Sequence, residues 1–400
     1  FKDGFLTINF DKQPEYNQFF ETTKDVKRII KNLALASGQK ITTDTLIIFD
    51  EIQACPNALN SLKYFCEDAS EYYIACAGSL LGLTLTEGFP VGKVDFLDMG
   101  PMTFNEFLLA MGDDNYVDFL ESINEIENIP EVFSQPLIEK LKMYFIIGGM
   151  PEAVKMWAED GDIKEVDKVQ LSILDSYESD FGKHAPEVDV PKIRLIWKSL
   201  PSQLAKENKK FLYSAVKEGA RAREYENALN WLINADLIKK TSKITKPNLP
   251  LSAYEDLTCF KIYLGDVGLL RRHSHLASSA FGEDNRLFTE FKGALTENFV
   301  LQSLLRKFEV LPYYWADTPH EVDFIIQRDN DIYPIEVKAG INVRAASIKQ
   351  YLKKYESETK FAIRFSLKNL SFDGKILNVP LYLIDELDRI IEICNKQFVH

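Results

Sequence analysis

The chain lacks the loop by which most nucleotide hydrolases hold a triphosphate. Nowhere in its 400 residues does GxxxxGK[ST] occur, the pattern whose backbone N–H groups and lysine cradle the phosphates. The nearest segment, Gly88-Phe89-Pro90-Val91-Gly92-Lys93-Val94, has the wrong spacing and follows the acid-ended strand that such a loop should precede. Cysteine is scarce. The five present (Cys55, Cys66, Cys76, Cys259, Cys394) show no CxxC spacing, which argues against a zinc ribbon or disulfide framework and predicts free thiols in a cytoplasmic protein. The five histidines form no ligand set, and His273 and His275, beside Arg271-Arg272, read as a solvated turn. No apolar run reaches the ~20 residues a bilayer requires, so no membrane partner is expected. Positive charge is also short. The net charge is −13 and the pI about 5.1, against constitutive charge-driven nucleic-acid binding but not against a local basic patch or a metal-bridged contact. The start, Phe1-Lys2-Asp3-Gly4, is neither a signal peptide nor a methionine start, and reads as truncated or processed.

What is present is a long, ordinary globular chain, 46% hydrophobic and 27% charged, too long for one core and expected to hold two to four domains. Residues 5–10 alternate as a strand, 15–36 read helical, and Leu46–Phe49 is a continuous apolar run suited to a strand buried on both faces. Pro56 can open a helix carrying Leu59, Leu62 and Phe65. Tyr72–Ala77 is the next strand, so the start is a parallel α/β layer. From Phe104 to about Trp157 the pattern is helical, broken at Pro130, Pro136 and Gly148-Gly149-Met150-Pro151, with another helix over 163–181. Helices around Ile193–Leu200, Leu212–Val216 and Arg221–Ala235, then a strand from Leu237, suggest a winged helix-turn-helix. Lys209, Lys210, Lys217, Arg221 and Arg223 give it a basic side that suits either DNA or a protein partner. From Cys259 the pattern is mixed α/β: a helix over Phe291–Phe308, a hairpin over 322–338, a helix near Ala346–Lys354, and strands at Phe361–Phe365 and Val379–Ile384.

Two constellations carry chemistry. Leu46-Ile47-Ile48-Phe49-Asp50-Glu51 ends a buried-type strand in paired acids; Asp50 can hold Mg²⁺ through water and Glu51 can orient the water that attacks ATP. Ser79, after the next strand, can sense the γ-phosphate or merely cap a helix. The second constellation is the hairpin. Asp323 lies on its first strand, Glu336 and Lys338 share a face of the second, and Glu297 lies on the preceding helix. Three carboxylates can hold a divalent metal and activate water for phosphodiester hydrolysis, with Lys338 stabilising the phosphorane and Gln350 adding a hydrogen bond. The bland alternative is a structural cluster in which Asp323 and Glu336 pair with Lys338.

These residues together resemble the bacterial and archaeal predicted AAA-type ATPases whose C-terminal half is an uncharacterised domain of restriction-endonuclease-like, PD-(D/E)xK type. The resemblance runs through Ile8-Asn9-Phe10, Phe49-Asp50-Glu51-Ile52-Gln53, Ala77-Gly78-Ser79, Pro101–Phe107, Gly148-Gly149-Met150-Pro151-Glu152, Gly219–Arg223, Leu264-Gly265-Asp266-Val267-Gly268-Leu269, Glu297-Asn298, Glu321–Phe324 and Ile335–Gly340. It implies an α/β multidomain chain: an AAA-type parallel-sheet core at 1–103, a helical lid at 104–190, a winged helix at 191–258 and a nuclease-like domain at 259–400. Asp50 and Glu51 match the Walker B pair and Ser79 the sensor; Glu297, Asp323, Glu336 and Lys338 match the nuclease motif. The Walker A loop should lie shortly upstream of Phe1, and ATP binding depends on it. Gly92-Lys93 stands where many relatives have Gly-Arg, and lysine lacks the bidentate fork of an arginine finger. The implied function is ATP-driven handling of DNA or RNA with Mg²⁺, in a protein that forms homo-oligomers as AAA rings do. The alternative is a non-catalytic regulator or scaffold whose ATPase and nuclease folds have degenerated.

Overall fold

A computed structural model of the protein describes residues 1–78, 92–205, 210–278, 286–308, 311–340 and 346–398. They fall into two compact units, Phe1–Met99 with Asn234–Asp236, and Gly100–Ile233 with Leu237–His400.

In the first unit β1 (Phe5–Asn9), β2 (Leu46–Asp50) and β3 (Tyr73–Cys76) form a parallel sheet in that order. Parallel neighbours need crossovers, and α1 (Val26–Ser37) and α2 (Pro56–Asp68) supply them. The single helix expected over 15–36 is divided, because Asp25 Oδ1 accepts the N–H groups of Lys27 (3.0 Å) and Arg28 (3.3 Å) and so starts a new helix as its N-cap. A 3-10 turn (Pro14–Asn17) and one helical turn (Gln18–Glu21) precede it. Phe49 anchors the core, its ring 5.5–6.0 Å from those of Phe10, Phe20 and Phe65. Burial of β2 on both faces is not found. Ile47 and Phe49 are buried, but Leu46 and Ile48 are only half-buried, since one face alone is fully covered among the described residues.

The second unit begins with α3 (Phe104–Ala110), α4 (Asp114–Ser122), α5 (Glu131–Ile147), α6 (Pro151–Asp160) and α7 (Ile163–His184). Pro136, expected to break the pattern, lies inside α5. Then come α8 (Val190–Leu204), α9 (Tyr213–Val216), α10 (Ala222–Asn234), β4 (Ile238–Ile244) and β5 (Glu255–Leu264). They are followed by α11 (Val267–His273), α12 (Arg286–Lys307), β6 (Tyr313–Asp317), β7 (His320–Arg328), β8 (Asp331–Val337), α13 (Ala346–Lys354), β9 (Ala362–Ser366), β10 (Ser371–Asp373), β11 (Ile376–Pro380) and α14 (Leu387–Phe398). One sheet collects all eight strands in the order β10-β11-β9-β8-β7-β6-β4-β5. The β4–β5 hairpin therefore shares a sheet with the acid-bearing hairpin β7–β8, joined where Lys243 pairs with Tyr314.

Two expectations fail here. Leu381–Ile384 is not strand: β11 stops at Pro380, and Leu381–Glu386 is a buried 3-10 helix. A short apolar run has no period to distinguish the two. His273 is not in a solvated turn but closes α11, with its Nε2 3.0 Å from the Trp197 carbonyl oxygen and its ring against the Trp197 indole. Its neighbour Arg271 is buried, donating to Ile146 O (3.0 Å), Leu276 O (2.9 Å) and Gln170 Oε1 (2.6 Å), and pairing with Asp167.

Two of the glycine motifs meet in this unit. Gly148 has φ +76°, and a Cβ there would lie 2.2 Å from Asp266 Oδ1. Asp266 Oδ2 accepts the Gly149 N–H (2.7 Å) and its Oδ1 accepts that of Leu269 (2.8 Å), capping α11. Gln302 of α12 accepts the Val267 N–H (3.0 Å) and donates to the Tyr144 hydroxyl (2.9 Å). Burial pushes the Asp266 carboxyl above its ordinary pKa, against the pull of the backbone donors around it. The Gly-Gly and Gly-Asp signatures thus fasten α5, α11 and α12 together.

Candidate functional site

The acids of the first unit stand at the C-terminal ends of parallel strands, the edge where open α/β sheets bind ligands. Asn9 and Asp50 are register partners, and Asn9 Nδ2 donates to Asp50 Oδ2 at 2.7 Å. Asp50 Oδ1 accepts the Glu51 N–H at 3.1 Å. Glu51 takes a left-handed conformation, φ +51°, unusual for a residue with a Cβ, and its carboxylate accepts from the Gln53 amide. Both acids are half-buried, and neither is ion-paired with a described residue. Such a set suits Mg²⁺, which keeps most of its waters and takes one or two carboxylates together with substrate phosphates. Ser79 lies outside the described residues. Lys93 pairs with Glu67 of α2 at 3.4 Å, so its charge is directed at a helix of its own unit.

The C-terminal acids are placed otherwise. The antiparallel register Phe324↔Ile335 sets Asp323 opposite Glu336, and Asp323 Oδ2 accepts the Val337 N–H at 2.8 Å. Glu336 is 2% exposed. Its Oε2 accepts from Arg364 Nε at 3.0 Å and its Oε1 lies 3.6 Å from Lys338 Nζ. Arg364, 5% exposed, is its register partner on parallel β9. On the other side Arg364 faces Asn378 of β11, with Nη1 3.4 Å from Asn378 Oδ1. A polar row therefore crosses three strands, from Glu336 through Arg364 to Asn378.

Glu297, buried on α12, accepts from the Tyr263 hydroxyl at 3.3 Å. Beside it lies Lys261 of β5, fully buried, bonded to Glu321 and with its ammonium 4.7 Å from the Tyr314 ring centre. Burial works against that ammonium, but the carboxylates of Glu321, Glu297 and Asp323 outweigh it and hold its pKa above the ordinary lysine value. Burial, then the same carboxylates led by Glu297, pushes the Tyr263 phenol well above its usual value, so its hydroxyl stays a donor.

The three motif acids are therefore shared between two groups of cations. Glu336 belongs to Arg364 and Lys338, whereas Glu297 and Asp323 lie in the field of Lys261. Among the described residues no group of three or more His, Cys, Asp or Glu side chains comes close enough to hold a metal ion. The physical reason is that buried carboxylates need a counter-charge, and here basic side chains provide it. Gln350, on α13, is exposed. Asn9, Lys261, Tyr263 and Arg364 had no role in the sequence reading. Lys261 and Arg364 each carried a signal, a single basic residue flanked by apolar neighbours in a strand (Phe260-Lys261-Ile262, Ile363-Arg364-Phe365), which calls for a buried acid opposite.

Residues 1–108 match the model of a family described as an AAA domain. Residues 138–280 match a domain of unknown function (DUF8612) and residues 292–384 another (DUF4143). No curated protein matches. Among solved structures the chain is similar to the Walker-type ATPase PABY2304 of Pyrococcus abyssi, with 12% identity and a TM-score of 0.39 over 68% of this chain and 84% of that one. No helix among the described residues is long and apolar enough to cross a membrane.

Proposed function

We propose that the chain is an ATP-responsive AAA-type protein whose C-terminal sheet serves as a binding module rather than as a metal-dependent nuclease. In this reading the core spans 1–103, a helical lid 104–190, a winged helix 191–258 and a nuclease-like fold 259–400. Asp50 takes Mg²⁺ through water, Glu51 orients the attacking water, and Asn9 fixes the Asp50 carboxylate. Ser79 is assigned to the γ-phosphate side of the same site.

The observation that carries the C-terminal half of the proposal is the hydrogen bond from buried Arg364 to buried Glu336. A metal at that carboxylate would have to displace a buried guanidinium that already neutralises it. The second reading keeps Glu297, Asp323 and Glu336 as Mg²⁺ ligands and Lys338 as the phosphate-facing cation, acting on DNA or RNA; it is favoured by the placement of Asp323 and Glu336 on the two strands of one hairpin, with Lys338 just past the end of the second. Purified intact protein incubated with plasmid DNA and with RNA, in Mg²⁺ or Mn²⁺, separates the two. No cleavage by wild type, Glu336→Ala or Lys338→Ala is expected. Cleavage by wild type that both substitutions abolish makes the protein a nuclease. On the N-terminal side Glu51→Gln should leave ATP bound and stop its hydrolysis, a loss of about 10²-fold or more for a positioned water.

A further inference from the structure

We propose that Lys261 is the resident cation of Glu297, Glu321 and Asp323, standing where a divalent metal would otherwise bind and closing that place to Mg²⁺ and Mn²⁺. The inference rests on the reading of the C-terminal sheet as a module without a catalytic metal, and names the group that makes it one.

Three elements build the place. Lys261 and Tyr263 lie two residues apart on β5 and so share a face. Glu321 and Asp323 stand in the same relation on β7. Glu297 is brought in from α12, because its neighbour Asn298 is clamped to the end of β5. Asn298 Oδ1 accepts the Leu264 N–H (2.9 Å), and its Nδ2 donates to the Leu264 carbonyl oxygen (3.0 Å). Held there, Glu297 meets the Tyr263 hydroxyl. The fully buried Lys261 side chain passes over the Tyr314 ring of β6 and bonds to Glu321. The carboxylates of Glu321, Glu297 and Asp323 all attract its ammonium.

The surroundings suit an ammonium better than a metal. The face of the Tyr314 ring, 4.7 Å from the nitrogen, attracts an organic cation but offers a hard divalent ion no oxygen ligand. Charge-assisted N–H···O contacts run about 2.7–2.9 Å, against about 2.0–2.1 Å from Mg²⁺ to its ligands. Acids gathered around an ammonium therefore stand farther apart than acids around an ion, in keeping with the absence, among the described residues, of three close enough to hold one. The lysine is also tethered, so it pays none of the association entropy that a free ion loses on binding. Without it, Glu297 and Asp323 would be buried carboxylates deprived of their counter-charge, a costly state. A divalent ion from solution, entering past half-buried Glu321, would then supply that charge.

The test counts Mn²⁺ bound to the intact protein, read from the free-ion signal in electron paramagnetic resonance. A background of Asp50→Asn with Glu51→Gln removes the acids of the first unit from the count. In that background Glu297→Gln and Asp323→Asn should leave Mn²⁺ uptake unchanged. Lys261→Met should add one bound ion per chain, and Asp323→Asn placed on top should remove it. Lys261→Arg, which keeps a cation, should add none. Uptake in the background that Glu297→Gln or Asp323→Asn abolishes overturns the inference, as does a folded Lys261→Met chain that gains no ion. If Lys261→Met fails to fold by circular dichroism, the two carboxylate variants in the background decide alone: indifference to both upholds the inference. Failure of the underlying reading looks different, because it is DNA or RNA cleavage abolished by Glu336→Ala and Lys338→Ala, whatever the Mn²⁺ count.

Discussion

Two sets of acids sit in this chain, and their partners differ in kind. Asp50 and Glu51 are held by neutral groups: the Asn9 and Gln53 amides and a backbone N–H. Glu336 is held by a guanidinium, with an ammonium beside it. A neutral donor orients a carboxylate and leaves its charge available for a metal. A buried cation neutralises that charge and makes the carboxylate part of the framework. A carboxylate near the C-terminal end of a strand is thus left with its charge available in one place and neutralised in the other. Motif spacing alone does not separate these fates; the partner does.

The comparison breaks most sharply at the locked end. Arg364→Met leaves Glu336 buried with only Lys338 near it, and Glu336→Leu leaves the guanidinium unpaired. Each should cost about 3–5 kcal/mol by urea denaturation, whereas the double variant should recover most of the loss, because a well-packed apolar pair avoids both desolvation penalties. Single variants that cost under about 1 kcal/mol would mean that the ion pair does not hold this sheet together, and Glu336 would again be free for a metal.

How far these partners were legible in the sequence follows from the same physics. Helix and strand periods located most elements: the hairpin of β7 and β8, α13 over Ala346–Lys354, and three helices followed by a strand all stand where the patterns put them. The acids too were legible, because polar residues ending apolar strands stand out. Their partners were not. Arg364 lies 28 residues from Glu336 in sequence and Lys261 lies 60 from Glu321, and strand order, which brings them together, has no local signal. The joining of β4–β5 to the later strands was equally invisible, since it rests on one register pair, Lys243↔Tyr314. Where the sequence reading failed outright, at Leu381–Ile384, a short apolar run fitted two structures equally well.

At the other end of the comparison the expected effect is smaller. Asn9→Ala removes the neutral donor to Asp50, and also the acceptor for the Asp11 and Lys12 N–H groups (3.1 and 2.9 Å). Net hydrogen-bond values put the loss at about 1–2 kcal/mol, and Asp50→Asn should cost no more than about 1 kcal/mol. A cost as large as that at Arg364 would show that Asp50 is itself a framework residue and would remove the contrast.

The finest test uses a half-buried group in the second unit whose partner is neutral. The Nε2 of His273 faces the Trp197 carbonyl oxygen, a neutral acceptor, with Glu178 and His275 as charged influences. Burial, only partly offset by that carbonyl and by Glu178, lowers its pKa below 6.5. The folded state therefore binds fewer protons than the unfolded state as pH falls below about 6.5, and stability should decline through that window. Lys261 behaves in the opposite sense. Its raised pKa makes its contribution fully present below the ordinary lysine value and lost only as alkaline pH rises through the folded one, so it is silent near neutrality. His273→Asn should flatten the stability profile between about pH 5 and 7 and leave the alkaline limb unchanged, measured by urea midpoints across pH. A flattened alkaline limb instead would mean that the cation-held cluster around Lys261 and the neutral-held histidine are energetically one system, and the distinction between the two kinds of partner would fail inside this unit.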